Sequence, residues 1–225
     1  MYVNTTGIVL REVTYKDSSK ILTVLTSSEG KLTVSAHGAH RKNSKLAAVT
    51  GLLVFSEMTL LQKKERWTIT EARTVEQFIG LRDDIKLLAL GTYIAELTEA
   101  VADEDSPNPE LLPLCLNALY ALSEKLKSPE FVKPAFELRL MAISGFEPLL
   151  SHANEKNDST PEEGMLKLDT AALNAADYIL TCDAKKLFSF TLSNTALKEL
   201  SKASENYLLT HLDRAFRTLE YYHKI

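Results

Sequence analysis

The segment from Gly30 to Leu46 (GKLTVSAHGAHRKNSKL) carries the densest set of side chains that could bind an anion. A predicted strand ending at Ala36 leads into a turn at Gly38, and no acidic residue interrupts the loop that follows. The candidate phosphate ligands in this segment are Lys31, His37, His40, Arg41, Lys42 and Lys45. Arginine offers a planar fork of donors and lysine a mobile point charge, so the loop is suited to a phosphate backbone. The alternative is an ordinary solvated loop.

Arg11 is a further candidate ligand on the first predicted strand. Strand alternation places Ile8 and Leu10 on one face and Arg11 on the other. Arg11 then either points outward to nucleic acid or forms an ion pair with Glu12 or Glu29 at the rim.

Arg66 and Trp67 form a second candidate pair where the last predicted strand begins. Arg66 could contact phosphate, and Trp67 could stack on a base, worth about 1–3 kcal/mol. Alternatively Trp67 closes a hydrophobic core. We favour packing, because a lone tryptophan at the start of a strand usually packs.

The charge is divided unevenly along the chain. The net formal charge is −4, but residues 1–80 carry 11 Lys and Arg against 7 Asp and Glu, and residues 81–225 carry 15 against 23. This basic front and acidic back suggest different partners. Two cysteines cannot form a disulfide framework, and we see neither a signal peptide nor an apolar run of membrane-spanning length, so a cytoplasmic protein is expected.

Five β-branched runs with turn residues between them fill the first 77 residues: 6–13, 20–26, 31–36, 52–61 and 67–73. Short strands at even spacing predict a small all-β barrel, and five of them fit the oligonucleotide-binding barrel, or OB-fold. We assign this domain to residues 1–77.

Residues 78–225 show helical spacing and form a predicted α-helical domain, which makes the chain multidomain and α+β overall. Helices are expected from about Leu81, from Ser106, from Ser128 to Ser144, from Thr170 to Leu180, and from Ser193 to Tyr222. Pro134 should restart or kink the third. The polar segment 151–164 reads as a loop or hairpin.

The sequence gives little indication of a catalytic site. The carboxylate clusters 83–84, 103–105 and 162–163 consist of neighbours along the chain, which on a helix point about 100° apart and do not converge on a metal. The five histidines show no metal-binding spacing, and no phosphate-cradling glycine motif occurs. We therefore predict a protein that is not an enzyme.

An ordered set of short motifs resembles the RecO family of bacterial DNA repair and recombination-mediator proteins. The set comprises TGIVLR at 6–11, GKL at 30–32, Gly38-Ala39 followed by Arg41, Ser44 and Lys45, LRDD at 81–84, FEL at 136–138 and GFEP at 145–148. These motifs cover roughly residues 1–150; the remainder matches only in length and helical character.

The resemblance implies a mediator that binds single- and double-stranded DNA, anneals complementary strands and helps load recombinase onto DNA coated with single-strand-binding protein. Its implied partners are DNA, RecR and the acidic C-terminal tail of single-strand-binding protein, with recombinase engaged indirectly, in a cytoplasmic, nucleoid-associated setting. Two alternatives stay open: an adaptor with the same fold and little DNA binding, and an RNA-binding barrel protein.

Two departures from the family pattern bear on the chemistry. Usual basic positions of the loop are His37 and His40 here, and neutral imidazoles add no charge, so phosphate binding should be weaker and steeper with pH. Many members carry a four-cysteine zinc module. Its ligand positions fall at Ala153, Lys156, Lys167 and about Thr170, so we expect a degenerate module at about 151–170 and no cofactor.

A tail-docking site implied by the resemblance needs an apolar pocket with a basic rim. The candidate cluster lies in the second and third predicted helices and consists of Lys125, Lys127, Lys133, Phe136 and Arg139.

Overall fold

A computed structural model of the chain describes residues 1–39, 41, 44–153 and 164–225. The strands are β1 (Tyr2–Tyr15), β2 (Ser19–Thr26), β3 (Gly30–Ala36), β4 (Phe55–Lys63), β5 (Arg66–Glu76), β6 (Leu149–His152) and β7 (Met165–Leu168). The α-helices are α1 (Ile85–Val101), α2 (Leu111–Ser123), α3 (Pro129–Ile143), α4 (Thr170–Thr181), α5 (Asn194–Leu212) and α6 (Arg217–Tyr222). Short 3-10 turns span Ile79–Asp83 and Ala184–Lys186.

The first five strands close into a barrel in the order β1-β2-β3-β5-β4, with β4 pairing back onto β1. All pairs are antiparallel except β3 with β5, where Val34 lies beside Trp67. Alternate residues of each strand point inward and form a core that includes Val9, Leu22, Val24, Leu32, Val34, Met58, Leu60, Trp67 and Ile69. The predicted five-stranded barrel followed by a helical region is confirmed.

The alternation predicted for β1 is interrupted after Val9. The pairing with β2 shifts register between Val9 and Arg11, because Leu10 is an extra residue in the strand. Val9 therefore points into the barrel, while Leu10 packs in the core that the barrel shares with the helices. Arg11 lies opposite Thr23 on that same outer side.

The third predicted helix agrees with the structure. Ser128 precedes Pro129 at the first helical position, and the helix ends at Ile143, two residues before Gly145 with φ +84°. The helix passes through Pro134 without a restart. Its buried face packs in a core shared by α1, α2, α4, α5 and α6.

Three helical-region predictions need correction. The second helix begins at Leu111 instead of Ser106. The last predicted helix is two helices, because Asp213 takes a left-handed conformation with φ 45° and ends α5. Residues 151 and 152 belong to β6, which pairs in parallel with β7, Leu150 beside Leu166, so these two strands do not form a hairpin; residues 154–163 of the predicted loop lie outside the described residues.

Candidate nucleic-acid interface

The basic loop is anchored on one end of the barrel. Ala39 and Val49 are 2% and 3% exposed and pack in the barrel core, with Leu46 half-buried against them. Turns close the loop: between the anchors the Ser44 amide donates to the Arg41 carbonyl at 2.9 Å, and just after Val49 the Thr50 hydroxyl donates to the Leu46 carbonyl at 2.8 Å. The apolar anchors fix the ends of the loop and leave the Arg41 and Lys45 side chains outside.

Arg41 and Lys45 are exposed on this loop. Gly38 has φ +72°, and the Cδ and Nε atoms of Arg41 lie 3.4 and 3.5 Å from where a Cβ on Gly38 would be. The glycine thus lets the guanidinium side chain fold back over the turn. Within the described residues, no carboxylate lies within ion-pair distance of either cation. His37 is exposed beside them, whereas His40 and Lys42 lie outside the described residues.

The β4–β5 hairpin carries a second set of exposed cations. Arg66 pairs with Lys63 across the hairpin, and Lys64 occupies its turn with φ 56°. All three are exposed. Arg66 was named as a candidate from the sequence, but Lys63 and Lys64 were not. Three cations within the four residues 63–66 could have indicated a basic turn.

Trp67 lies inside the barrel. The residue is 6% exposed and packs with the core residues of β3 and β4. Stacking on a base is therefore excluded for the folded barrel, because no face of the indole is open. The packing alternative describes this residue correctly.

Arg11 joins the barrel to the helical region. Its Nη2 atom lies 2.9 Å from the Glu99 carboxylate of α1 and donates to the Thr23 hydroxyl at 3.2 Å. The predicted partners Glu12 and Glu29 are not its ion-pair partners; Glu12 pairs with Lys20. The Arg11 side chain stays 59% exposed, so it keeps a face toward solvent.

Lys31 is half-buried at the same junction. Its Nζ donates to the Glu99 carbonyl at 3.1 Å, and its backbone amide donates to the Asp103 carbonyl at 3.2 Å. The Asp105 amide donates in return to the Lys31 carbonyl at 3.3 Å. These contacts hold the segment after α1 against the start of β3, so Lys31 lies apart from Arg41 and Lys45.

The predicted docking cluster does not form a surface pocket. Lys133 is 2% exposed and Phe136 fully buried, so neither can meet a partner protein. Lys133 pairs with Glu137 at 2.8 Å and Glu205 at 2.6 Å. Arg139 donates to the Leu180 carbonyl at 2.6 Å at the end of α4. The placement predicted for this pocket is corrected: these side chains hold helices together.

The two remaining lysines of that cluster are less buried. Lys127 donates to the Phe190 carbonyl at 2.6 Å and lies 4.9 Å from the centre of the Phe131 ring. Lys125 is 64% exposed, with Asp83 4.0 Å away. Of the five predicted docking residues, Lys125 alone is predominantly in solvent.

The positions where the family's zinc ligands would fall are spread over three elements. Ala153 follows β6, Lys167 lies on β7 and Thr170 begins α4, while Lys156 lies outside the described residues. In the described part of the chain, no three His, Cys, Asp or Glu side chains are grouped closely enough to hold a metal ion. The helices of that part include none long and apolar enough to cross a membrane.

Comparisons with known proteins cover both regions. The family model described as "Recombination protein O N terminal" matches residues 1–78, and "Recombination protein O C terminal" matches residues 82–220. The proteins named "DNA repair protein RecO" in Acetivibrio thermocellus and Symbiobacterium thermophilum are both 30% identical to this chain, over 98% and 97% of its length and 96% and 95% of theirs. That of Listeria monocytogenes (strain F2365) is 32% identical over 64% of this chain and 56% of its own. The chain belongs to the RecO family.

Proposed function

We propose that the chain is a recombination mediator of DNA repair that binds the phosphate backbone of DNA through the loop of residues 37–50. The observation that carries this proposal is the loop itself: Arg41 and Lys45 project from it, while Ala39 and Val49 anchor it in the barrel core. Relatives over nearly the full chain are named DNA repair proteins. Phosphate contacts position nucleic acid without reading its sequence.

Backbone binding without sequence readout suits strand annealing, which we propose as the activity. A protein that neutralises phosphates lets two complementary strands approach, and their base pairing then supplies the specificity. Loading of recombinase onto coated DNA follows from the same binding, together with a contact to single-strand-binding protein. Neither step needs a bond to be made or broken by the protein, so we propose no catalytic residue and no cofactor.

For the acidic tail of single-strand-binding protein we propose a groove between α3 and α5. Leu197 contributes apolar surface there, and Lys198 and Lys202 line the same groove. The two carboxylates of the groove, Glu130 and Glu205, are paired with Lys86 and Lys133. Carboxylates of a tail would pair with the lysines and its apolar end would cover the leucine. RecR is the second partner that we propose, on family membership alone. The groove is tested by tail-peptide binding to Lys198→Ala/Lys202→Ala, with Lys185→Ala/Lys186→Ala as the control.

The DNA proposal is tested by fluorescence anisotropy with a labelled single strand of about 30 nucleotides, longer than the site of one barrel. The variant is Arg41→Ala/Lys45→Ala. The matched control Arg73→Ala/Lys167→Ala removes two exposed cations elsewhere. If each loop cation neutralises one phosphate, the slope of log affinity against log salt becomes shallower by about 1.4 in the loop variant. The control should keep the wild-type slope.

The alternatives give different results in the same assay. Wild-type protein that binds no DNA at low salt but does bind the tail peptide is an adaptor, and the DNA proposal fails. Tighter binding to a ribose strand of the same sequence than to the deoxyribose strand favours the RNA-binding alternative. Equal effects of the loop variant and the control would move the DNA site away from the loop.

A further inference from the structure

A cleft of about 680 Å³ lies between the barrel, α1 and the corner that joins α5 to α6. Its volume is within the usual range of ligand sites, about 300–1,000 Å³. Leu10, Leu52 and Ala100 give it apolar surface. Its charged lining comes from Arg11, Glu12, Lys31, Glu96, Glu99, Arg214 and Arg217.

The carboxylates of the cleft are largely engaged by protein groups. Glu99 is paired with Arg11 at 2.9 Å, and Glu12 is paired with Lys20. Four cations and three carboxylates line the cleft, and Lys20, which is not part of the lining, compensates Glu12, so the surplus is two positive charges. The positive cleft contrasts with the net charge of the helical region, since residues 81–225 carry 15 Lys and Arg against 23 Asp and Glu.

Arg214 and Arg217 supply that surplus. Within the described residues, neither lies within ion-pair distance of a carboxylate. The Arg214 guanidinium lies 4.8 Å from the centre of the Phe216 ring, which orients it while leaving its donor edges available.

The corner that carries these arginines is fixed to α1. The left-handed residue Asp213 ends α5 and turns the chain. The Thr218 amide and hydroxyl then donate to the Glu96 carboxylate at 3.2 and 2.5 Å. The contact to Glu96 fixes the residue next to Arg217, and both arginines line the cleft.

The cleft is continuous with the basic loop of the barrel. Leu52, two residues beyond Thr50, lines the cleft. Lys20 donates to the Thr50 carbonyl at 3.3 Å and pairs with Glu12, a second cleft residue. Lys20 thus links the end of the loop to the cleft wall, so a strand lying across the loop can continue toward the cleft.

We propose that this cleft is a second phosphate-binding site, in which Arg214 and Arg217 hold the backbone of a single strand that continues from the barrel loop. The proposal rests on the proposed DNA-binding function and extends the binding surface from the barrel to the end of the helical region. Guanidinium groups suit this ligand because they bind phosphate oxygens with two parallel donors. An acidic peptide is the competing ligand, and continuity with the loop favours nucleic acid.

The test is the same anisotropy titration with the full chain and the variant Arg214→Gln/Arg217→Gln. The expected result is weaker binding and a salt slope that is shallower by about 1.4, the value for two phosphates on a single strand. The control Lys185→Gln/Lys186→Gln removes two exposed lysines of the same region outside the cleft and should keep the wild-type slope. Arg214→Lys/Arg217→Lys keeps both charges and should retain most of the wild-type affinity and salt slope. That result would show that the glutamine variant loses binding through charge and not through misfolding.

A second variant gives a gain that misfolding cannot mimic. Glu99→Gln releases Arg11 and removes a negative charge, so the salt slope should become steeper by about 0.7 if Arg11 then contacts phosphate.

If Arg214→Gln/Arg217→Gln binds DNA with wild-type affinity and salt slope while Arg41→Ala/Lys45→Ala binds more weakly, the cleft is not a phosphate site. The proposed site on the barrel loop would still stand. Absence of any binding by wild-type protein would overturn both proposals. An aspartate-rich peptide whose binding is lost in Arg214→Gln/Arg217→Gln, while DNA binding is unchanged, would make the cleft a protein-docking site instead.

Discussion

Gly30 and Ser106 bring the barrel and the helical region into backbone contact. Gly30 has φ +71°, and a Cβ added to it would lie 2.6 Å from the carbonyl carbon of Ser106 and 2.7 Å from its nitrogen. The neighbouring Lys31 exchanges backbone hydrogen bonds with Asp103 and Asp105. The GKL motif at 30–32 is therefore the point at which the segment after α1 is attached to β3.

Gly30→Ala should destabilise the protein for two reasons. Alanine disfavours the positive φ, which costs on the order of 1–3 kcal/mol, and the backbone of Ser106 cannot move away as a side chain could. We expect the free energy of unfolding in urea to fall by about 3 kcal/mol or more.

Gly145→Ala is the matched control, because Gly145 has φ +84° but nothing within 4 Å of its added Cβ. It should lose about 1 kcal/mol. Equal losses in the two variants would show that the contact with Ser106 contributes nothing beyond backbone strain.

Trp67 allows a spectroscopic test of the barrel core, because the chain has one tryptophan. Its 6% exposure predicts a blue-shifted emission that does not change when saturating single-stranded DNA is added. Trp67→Ala should lower the free energy of unfolding by about 3–5 kcal/mol, as for other large-to-small core changes. Strong quenching by DNA would mean that the indole is accessible to bases and that its placement is wrong.

The barrel was predictable because each strand carries its own signal. The runs beginning at Thr6, Lys20 and Lys31 have β-branched residues and polar turns, and the structure extends them by one to four residues at the start. The Ser128-Pro129 helix start was predictable for the same reason, since capping is local in sequence.

The sites were harder to predict because their geometry depends on distant residues. Glu99 is 88 positions from Arg11, so no local pattern reveals their ion pair. Lys133 looks like a surface cation in sequence, yet Glu137 and Glu205 keep it buried. The end of α5 at Asp213 has no proline or glycine to mark it. The corner that brings Arg214 and Arg217 to the cleft therefore could not be predicted from the sequence either.

Lys133 should be essential for stability. It is the cation between Glu137, which is fully buried, and Glu205, and Glu137 also accepts from the Tyr93 hydroxyl at 2.8 Å. Lys133→Met leaves the Glu137 carboxylate buried without its cation, and removing one partner of a buried pair costs about 3–5 kcal/mol. Urea unfolding measures this loss.

Two further variants serve as controls for Lys133→Met. Arg73→Met breaks the exposed pair with Glu57 and should cost no more than about 1 kcal/mol. Lys133→Met/Glu137→Gln should recover part of the loss, because it removes one of the two charges left uncompensated. A loss in Lys133→Met as small as that in Arg73→Met would contradict a buried ion pair.

Cys115 should make the protein sensitive to alkali. Burial raises the pKa of its thiol from 9.0 to about 12. As the pH rises, the thiol loses its proton in the unfolded chain at a lower pH than in the folded chain. Its contribution to stability is therefore complete below pH 9 and is lost as the pH rises toward 12. The loss should be about 1.4 kcal/mol per pH unit in that window.

Buried Tyr93 also has a raised pKa and adds to the loss at high pH, so the contribution of the thiol is isolated by a variant. The free energy of unfolding of Cys115→Ala should fall less steeply between pH 9 and 11 than that of the wild type, whatever its value at pH 7. Burial also raises the pKa of the half-buried Cys182 thiol, so Cys182→Ala is the comparison variant and should change the alkaline slope less than Cys115→Ala does. In the folded wild type at pH 8, iodoacetamide should label Cys182 and spare Cys115 until denaturant is added. Identical alkaline slopes in wild type and Cys115→Ala would show that the Cys115 thiol ionises equally in the folded and unfolded chains.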